Sequence, residues 1–540
     1  MLNRFKSLTF SAADIDELFE YYSRYKEIPL PTREEFLEFS RTGNRLNYEN
    51  KYFALRHRIN GAFMLWRAKG DEYLDELRQL LTAVCDEETW ALPAHVSDPD
   101  NARTEIDLFA AETAMMLAEI KYLAEGKLGT KLNERIDREI RERVFVPFSQ
   151  KSYHWETSKH NWSAVCAGAI GIAYLRLEPP EGPVPDELPL NRILNAMESY
   201  LSGYNDDGIC LEGIGYWGYG FGFYLYFAKT LLDTRGIDII HKAADLPPEK
   251  PRKIAAFPEN AMLFNDIAVS CSDARADFAA PEGLMGMISE CYGISTNTRT
   301  EKTDDCGRWA HFIRSYLYPA VRGKEKPAYG EFIFGQSQWY VNRKQRYGFF
   351  IKGGTNGEPH NHNDIGSFIV ANTRGQLLCD LGAGEYTKDY FNYKKRYKYL
   401  CNSSLGHSVP IIDGGGQLAG GEYRCDEFKC GSDIASVSFG NAYGDDVKAA
   451  REVRLYEDKI VLRDTFKCAE GKPHNITERF VTTIEPFVTD DGIIIGDLKL
   501  DKIGEIRKEI IRAHDGEPKA VYLIDIPADN EFEIEFSFSE

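Results

Sequence analysis

The chain has 540 residues, 43% of them hydrophobic and 13% aromatic, a globular composition too long for one core and suited to two large domains. A net charge of −19 argues against nucleic acid and anionic membrane surfaces as partners, and no run of about 18 uncharged apolar residues is present to span a bilayer. The opening MLNRFKSLTFSAADIDELFEYY lacks the apolar core and small-residue cleavage site of a secretory signal, and the eleven scattered cysteines read as reduced thiols, so a cytoplasmic location is expected.

From residue 12 to about 320 the apolar period is helical. Ile106, Phe109, Ala110, Thr113, Leu117 and Ile120 recur at steps of three and four, with Asn101 and Thr104 as candidate caps, and Ile193, Leu194, Met197, Tyr200 and Leu201 repeat the pattern. Helix following helix without sustained strand alternation predicts paired helices wound into an (α/α) toroid. Two places in this half carry candidate chemistry. In Lys159-His160-Asn161-Trp162, Asn161 falls at a predicted helix start, where its amide can bind an anion such as a carboxylate; as a helix cap alone it needs no function. In the Gly-rich stretch 207–220, Glu212, Tyr216, Trp217 and Tyr219 stand among glycines that are poor helix material, so a loop or helix start is expected, with tyrosines that stack on sugars, donate protons or plug the toroid core. The Pro-rich segment 245–260 reads as a connection between helices, and RGKEKPAYG at 322–330 marks the boundary between domains 1–325 and 326–540.

Past residue 330 the period becomes two. FIFG, WYVN and GFFIKGG are predicted strands, GSFIVANTRGQLLCDLG a hairpin through Thr373-Arg374-Gly375, and VRLYEDKIVLRD two runs meeting at Glu457-Asp458. Many short strands with regular turns predict an antiparallel β-sandwich. Within it, His360 and His362 would emerge on one face of a strand, Asp380 ends the next apolar run 18 residues past His362, and His407 opens a third. His362, Asp380 and His407 make a three-ligand set suited to zinc, with His360 beside the metal but not on it. A basic aromatic tract follows, in which Lys388, Lys394, Lys395, Arg396 and Lys398 alternate with Tyr386, Tyr390, Tyr393, Tyr397 and Tyr399, able to hold a short acidic saccharide on an otherwise acidic protein or to lie solvated as a charged loop.

The runs HNHNDIGSFIVANTRGQLLCDLGAGEY and HSVPIIDGGGQ resemble the signature of the heparinase II/III-like polysaccharide lyases, strongly over about 60 residues and more weakly in the N-terminal half. The resemblance implies a toroid followed by a sandwich, with β-elimination of uronate-containing glycans in the cleft between them. It implies that Asn161 neutralises the substrate carboxylate with help from His160, and that Tyr216, 55 residues later, is the acid or base, with Tyr219 the alternative one turn on. His360 is the second acid–base group, Glu212, Trp217, Arg396 and Tyr397 are further candidates for substrate contact, and zinc on His362, Asp380 and His407 is structural. The partner expected is an acidic oligosaccharide or polysaccharide, of glycosaminoglycan type first and alginate-like second; a homo-oligomer is left open. The sequence departs from some relatives at Ala164, where they carry a charged substrate-binding residue.

Three rival readings differ in chemistry. A metal-dependent hydrolase also uses HxHxD, but Ile365 follows Asp364 where such motifs place another His. An inverting glycosidase on an (α/α) barrel would pair carboxylates such as Asp207 and Glu212. A saccharide-binding protein would keep the cleft without turnover.

Overall fold

A computed structural model describes residues 1–177, 189–241, 246–323, 329–469 and 474–539. Its N-terminal part is an (α/α) toroid. The helices Leu46–Lys69, Leu108–Ala124, Asn161–Arg176 and Ile214–Arg235 bury side chains around their whole circumference and form the inner layer. Outside them lie amphipathic helices with a single apolar stripe. Leu190–Ser202, for example, buries Ile193, Ala196, Met197, Tyr200 and Leu201 against Asn161–Arg176, and Ala12–Tyr25 packs on Leu46–Lys69. Small residues set the spacing of the inner layer. A Cβ at Gly171 would stand 2.4 Å from the Phe227 ring, and one at Gly168 would stand 2.9 Å from the Phe223 carbonyl oxygen, so Asn161–Arg176 and Ile214–Arg235 touch through glycine.

Local details depart from the sequence reading. The helix Leu108–Ala124 is capped by Asp107, whose carboxylate accepts from the Ala110 amide at 2.7 Å; Asn101 and Thr104 lie in a preceding 3-10 turn, Pro99–Thr104. The segment taken for a connection is mostly the helix Lys250–Asn260, because Pro251 sits in its first turn, where no amide is needed, and Pro258 comes within its last three residues; residue 245 lies outside the described residues. The Gly-rich stretch turns helical at Ile214 and stays so through Gly215, Gly218 and Gly220. Two short strand pairs, Met262–Phe264 with Ile267–Ala268 and Ala280–Pro281 with Thr300–Glu301, interrupt the helices where no alternation signalled them. The expected boundary at 325/326 falls outside the described residues.

The C-terminal part is an antiparallel β-sandwich. Its first sheet runs Gly375–Leu378, Phe368–Asn372, Gly348–Lys352, Trp339–Arg343, Gly330–Phe334, and alternation divides its faces. Trp339, Val341, Phe350, Ile369 and Ala371 belong to the helical core, whereas Tyr340, Phe349, Ile351, Phe368 and Val370 face the rest of the sandwich. That core is closed by an eight-stranded sheet containing Val447–Leu455, Lys459–Cys468 and Glu531–Phe538, and by the four strands Pro410–Ile412, Ile476–Thr482, Pro518–Ala528 and Glu505–Arg512. The first sheet is therefore buried on both faces and shares one with the toroid. Arg343 adds a polar tether, donating to the carbonyls of Met262 at 2.6 Å and Glu259 at 2.6 Å. Among the described residues no helix is long and apolar enough to cross a membrane, and none of the eleven cysteines forms a disulfide.

The glycine contact generates a stability test. Gly171→Leu should lower the unfolding free energy by about 1–3 kcal/mol in denaturant titration, the usual cost of overfilling a packed interior; an unchanged midpoint would mean that the two inner helices are not in the contact described.

Candidate active site

Asp273 organises the site. It sits in the loop after Ile267–Ala268, preceded by Ser272 at φ 60, and its carboxylate is fully covered. Oδ2 accepts from His360 Nδ1 at 2.8 Å and from the Tyr386 hydroxyl at 3.1 Å. Oδ1 accepts from His362 Nε2 at 3.2 Å and from the Tyr390 hydroxyl, and Arg396 Nη2 lies 3.3 Å from both oxygens. Burial alone would raise this carboxyl, but the hydrogen bonds of His360 and His362 hold it well below the usual carboxylate range. An ionised carboxylate only accepts, so the network assigns the protons around it. His360 donates from Nδ1, so its other ring nitrogen, Nε2, is not held by Asp273. Tyr386 spends its proton on Asp273, so the Tyr216 hydroxyl, 2.6 Å away, donates to the Tyr386 oxygen.

Tyr216 lies in the first turn of Ile214–Arg235, its ring stacked on the His360 imidazole with centroids 4.2 Å apart and planes at 26°. Burial, then the Asp273 charge, pushes its hydroxyl pKa up, so the phenol is protonated at neutral pH. His360 itself stands at φ 54, a left-handed conformation rarely adopted outside glycine and asparagine, which aims its ring across the boundary between the two parts. On the toroid side, Asn161 is the first residue of its helix and is buried; the preceding His160 makes no side-chain cap, which leaves the amides of the first turn for other acceptors. The Glu212 carboxyl is raised by burial, against the opposing influence of His360 and of the Asn161 backbone N–H. His160 is lowered by burial and then by the neighbouring charge of His360. Asn161, His160, Glu212, Tyr216 and His360 thus share one neighbourhood, drawn from both parts of the chain.

Other expected residues are committed elsewhere. Trp217 is fully buried, donates from Nε1 to the Ile254 carbonyl at 2.7 Å and stacks on Phe221, so it is core and cannot reach a substrate. Tyr219 donates to Glu112, itself pushed up to about 7 by burial, and lies under the Arg308 guanidinium at 4.0 Å. Arg396 is buried on Asp273, and Tyr397 donates to Asn361 Oδ1 at 2.9 Å; both brace the loop that carries His360 and His362. That loop is not the strand expected of HxH, yet both imidazoles still converge because each is drawn to one oxygen of Asp273. Asp207 has both oxygens on Ser337, at 2.7 and 2.8 Å.

Behind His360 the structure gathers His362, Asp380 and His407 and adds Asp364, all buried, with one donor atom of each within 4.8 Å of the others. His362 gives its Nε2 proton to Asp273, and His407 gives its Nδ1 proton to the Ser403 carbonyl at 2.9 Å. The remaining nitrogens, His362 Nδ1 and His407 Nε2, face each other at 3.1 Å, with Asp380 oxygens 3.8 and 3.4 Å from them. Two lone pairs and a carboxylate aimed at one point require a proton or a cation between them, and the spacings match the edges of a tetrahedron with bonds of about 2.0–2.1 Å. Asp364 pairs with Lys352 through Oδ1 at 2.8 Å, while its buried Oδ2 has no partner. These residues fit a metal ion. Arg451, fully buried on Asp464 and Glu478, holds the supporting loops by donating to the carbonyls of Gly366 and Ser408 at 2.8 Å each.

Asp273 and Asp364 are the members that sequence reasoning did not assign. Asp273 sits in SCSDARADF with no periodic signal, whereas Asp364 was within reach as the acid of HxHxD. Removing the Asp273 carboxylate leaves Arg396 buried and unpaired, so Asp273→Ala should cost about 3–5 kcal/mol of stability. A thermal shift corresponding to less than about 1 kcal/mol would contradict the hub described.

Residues 327–519 match the family model described as heparinase II/III-like, C-terminal. No curated protein sequence matches the chain. Among solved structures, a heparinase III is similar over 97% of this chain and 88% of its own, with TM-score 0.58 at 14% identity. A mutant of the heparan sulfate lyase HepC from Pedobacter heparinus is similar over 98% and 89%, with TM-score 0.58 at 10% identity. A mutant of the chondroitin AC lyase from Streptomyces coelicolor A3 is similar over 99% and 82%, with TM-score 0.55 at 11% identity. At these identities the likeness establishes the fold, a toroid followed by a sandwich. The family match covers residues 327–519, so it is in its strand-rich part that the chain is similar in sequence to heparinase II/III-like proteins.

Proposed function

We propose that the protein is a polysaccharide lyase that cleaves uronate-containing glycans by β-elimination, its residues 1–325 and 326–540 each supplying half of the site. The observation that carries this reading is the stack of Tyr216 on His360, one ring from each part, tied through Tyr386 and Asp273. Elimination removes the C5 proton of the uronate, forms the C4–C5 double bond and breaks the C4–O bond, whose oxygen takes up a proton. Each of these needs has a group here. Asn161 at its helix start hydrogen-bonds the carboxylate and stabilises the charge that develops on it. His360 Nε2, oriented by Asp273, is free to take the C5 proton. Tyr216 holds a proton at rest and gives it to the departing oxygen, so one proton moves from C5 to His360 and another from Tyr216 to the leaving group.

The similar structures described as heparinase III, heparan sulfate lyase and chondroitin AC lyase favour a glycosaminoglycan substrate, with alginate-like chains second. Exposed Lys388, Lys394 and Lys398 pair with no carboxylate among the described residues, and Phe391 and Tyr393 are 49% and 64% exposed next to them, a surface suited to an acidic saccharide. Zinc is the cation best suited to His362, Asp364, Asp380 and His407; its role is structural, holding the loop from which His360 projects. The glycosidase reading is disfavoured because both oxygens of Asp207 are occupied by Ser337.

The test is a panel of uronate polymers and oligomers read by the ultraviolet absorbance of the unsaturated product. The wild-type chain should generate that absorbance, and Tyr216→Phe should lose about 10²- to 10⁴-fold in kcat with its fold intact; reducing ends released without the absorbance would establish hydrolysis instead, and binding without turnover a saccharide-binding protein. Elemental analysis of the purified protein should find one zinc per chain, absent from His407→Ala together with a lowered melting temperature. A metal-free wild-type chain of equal stability would overturn the cation assignment.

A further inference from the structure

Glu212 has a property that acid–base chemistry at Tyr216 and His360 does not use. It is more than nine-tenths buried, yet among the described residues Oε2 has no hydrogen-bond partner and no cation pairs with the carboxyl. The groups that face it are the Asn161 backbone N–H, His360 and Asp273, with Tyr216, Tyr200 and Cys210 also within its electrostatic reach. Gly213, at φ 107, follows directly and starts the Tyr216 helix, so Glu212 is fixed at the junction of the two helix starts that carry Asn161 and Tyr216. A buried polar atom without a partner costs free energy unless something fills it.

We infer that Glu212 binds the uronate carboxylate, its Oε2 hydroxyl donating to one carboxylate oxygen while the Asn161 amide holds the other. An ionised Glu212 would repel that carboxylate; the neutral acid donates to it, and burial favours the neutral form. The proton stays on Glu212 throughout, so no bond forms or breaks there. The acid completes the neutralisation that one amide only begins, in a chain whose position 164 is alanine and offers no charge one turn into the Asn161 helix. The inference rests on the lyase reading of Asn161, Tyr216 and His360, and it assigns the chemistry by which that site selects a free acid.

Glu212→Gln and Glu212→Ala test it on a uronate oligosaccharide and on its methyl ester, with wild-type elimination as the reference. The glutamine amide also donates, so Glu212→Gln should keep kcat within about threefold of wild type, while Glu212→Ala should lose about 10- to 100-fold on the free acid, the worth of one hydrogen bond to a charged group. On the ester, which needs no neutralising, the Glu212→Ala loss should shrink to a few-fold. A purely structural role would slow both substrates alike. Full activity of Glu212→Ala, equal losses on acid and ester, or a folded but inactive Glu212→Gln would each overturn the inference. Should Glu212→Ala not fold, the isosteric Glu212→Gln decides by itself. Absence of unsaturated product from the wild-type chain would bring down the lyase reading, and this inference with it; a wild-type lyase indifferent to Glu212→Ala would bring down only the inference.

Discussion

One buried carboxylate holds the two parts of the protein in register. Asp273 belongs to the toroid's connecting segment, and each of its partners, His360, His362, Tyr386, Tyr390 and Arg396, comes from the strand-rich part. A fully covered carboxylate is tolerable only when its lone pairs are filled, so the position of that loop is over-determined by bonds from five residues of the strand-rich part. Apolar packing of the first sheet against the helical core brings the parts together without direction; Asp273 supplies direction at the site, as Arg343 and the Asp207–Ser337 bonds do elsewhere along the boundary.

The same carboxylate links chemistry to support. One oxygen fixes the His360 tautomer and leaves Nε2 free, and the other takes the His362 proton and leaves Nδ1 for a cation. The acid–base pair and the cation cluster are thus separated by the single residue Asn361 and share one acceptor. The unusual backbone of His360 is explained by this arrangement: a left-handed residue between the pull of Asp273 and the anchored His362 turns its ring outward onto Tyr216.

Much of this was legible in the sequence, for identifiable reasons. The switch of period from 3.6 to 2 separates helices from strands because each side must bury one face, and the spacing of His362, Asp380 and His407 survives as a cluster because strand ends bring such residues together. Tyr216 and Asn161 could be placed near helix starts from their glycine and small-residue surroundings. Asp273 could not be found this way, since its importance lies in partners 87 to 123 residues distant and its own neighbours read as a polar turn. A glycine-rich stretch leaves open whether its aromatics stack on sugars, donate protons or plug the core; the helix from Ile214 onward turns Trp217 into the core and Tyr219, the alternative acid or base, toward Glu112. The helix Lys250–Asn260 was hidden by prolines that occupy positions a helix accepts.

The central claim, that a phenol from the toroid and an imidazole from the sandwich act as one unit, is tested most directly by a double-mutant cycle on the elimination rate with Tyr216→Phe, His360→Gln and the combined variant. Groups that act together are not additive, so the double variant should be little slower than the slower single variant. Losses that multiply in full would show two independent contributions and contradict the joint site.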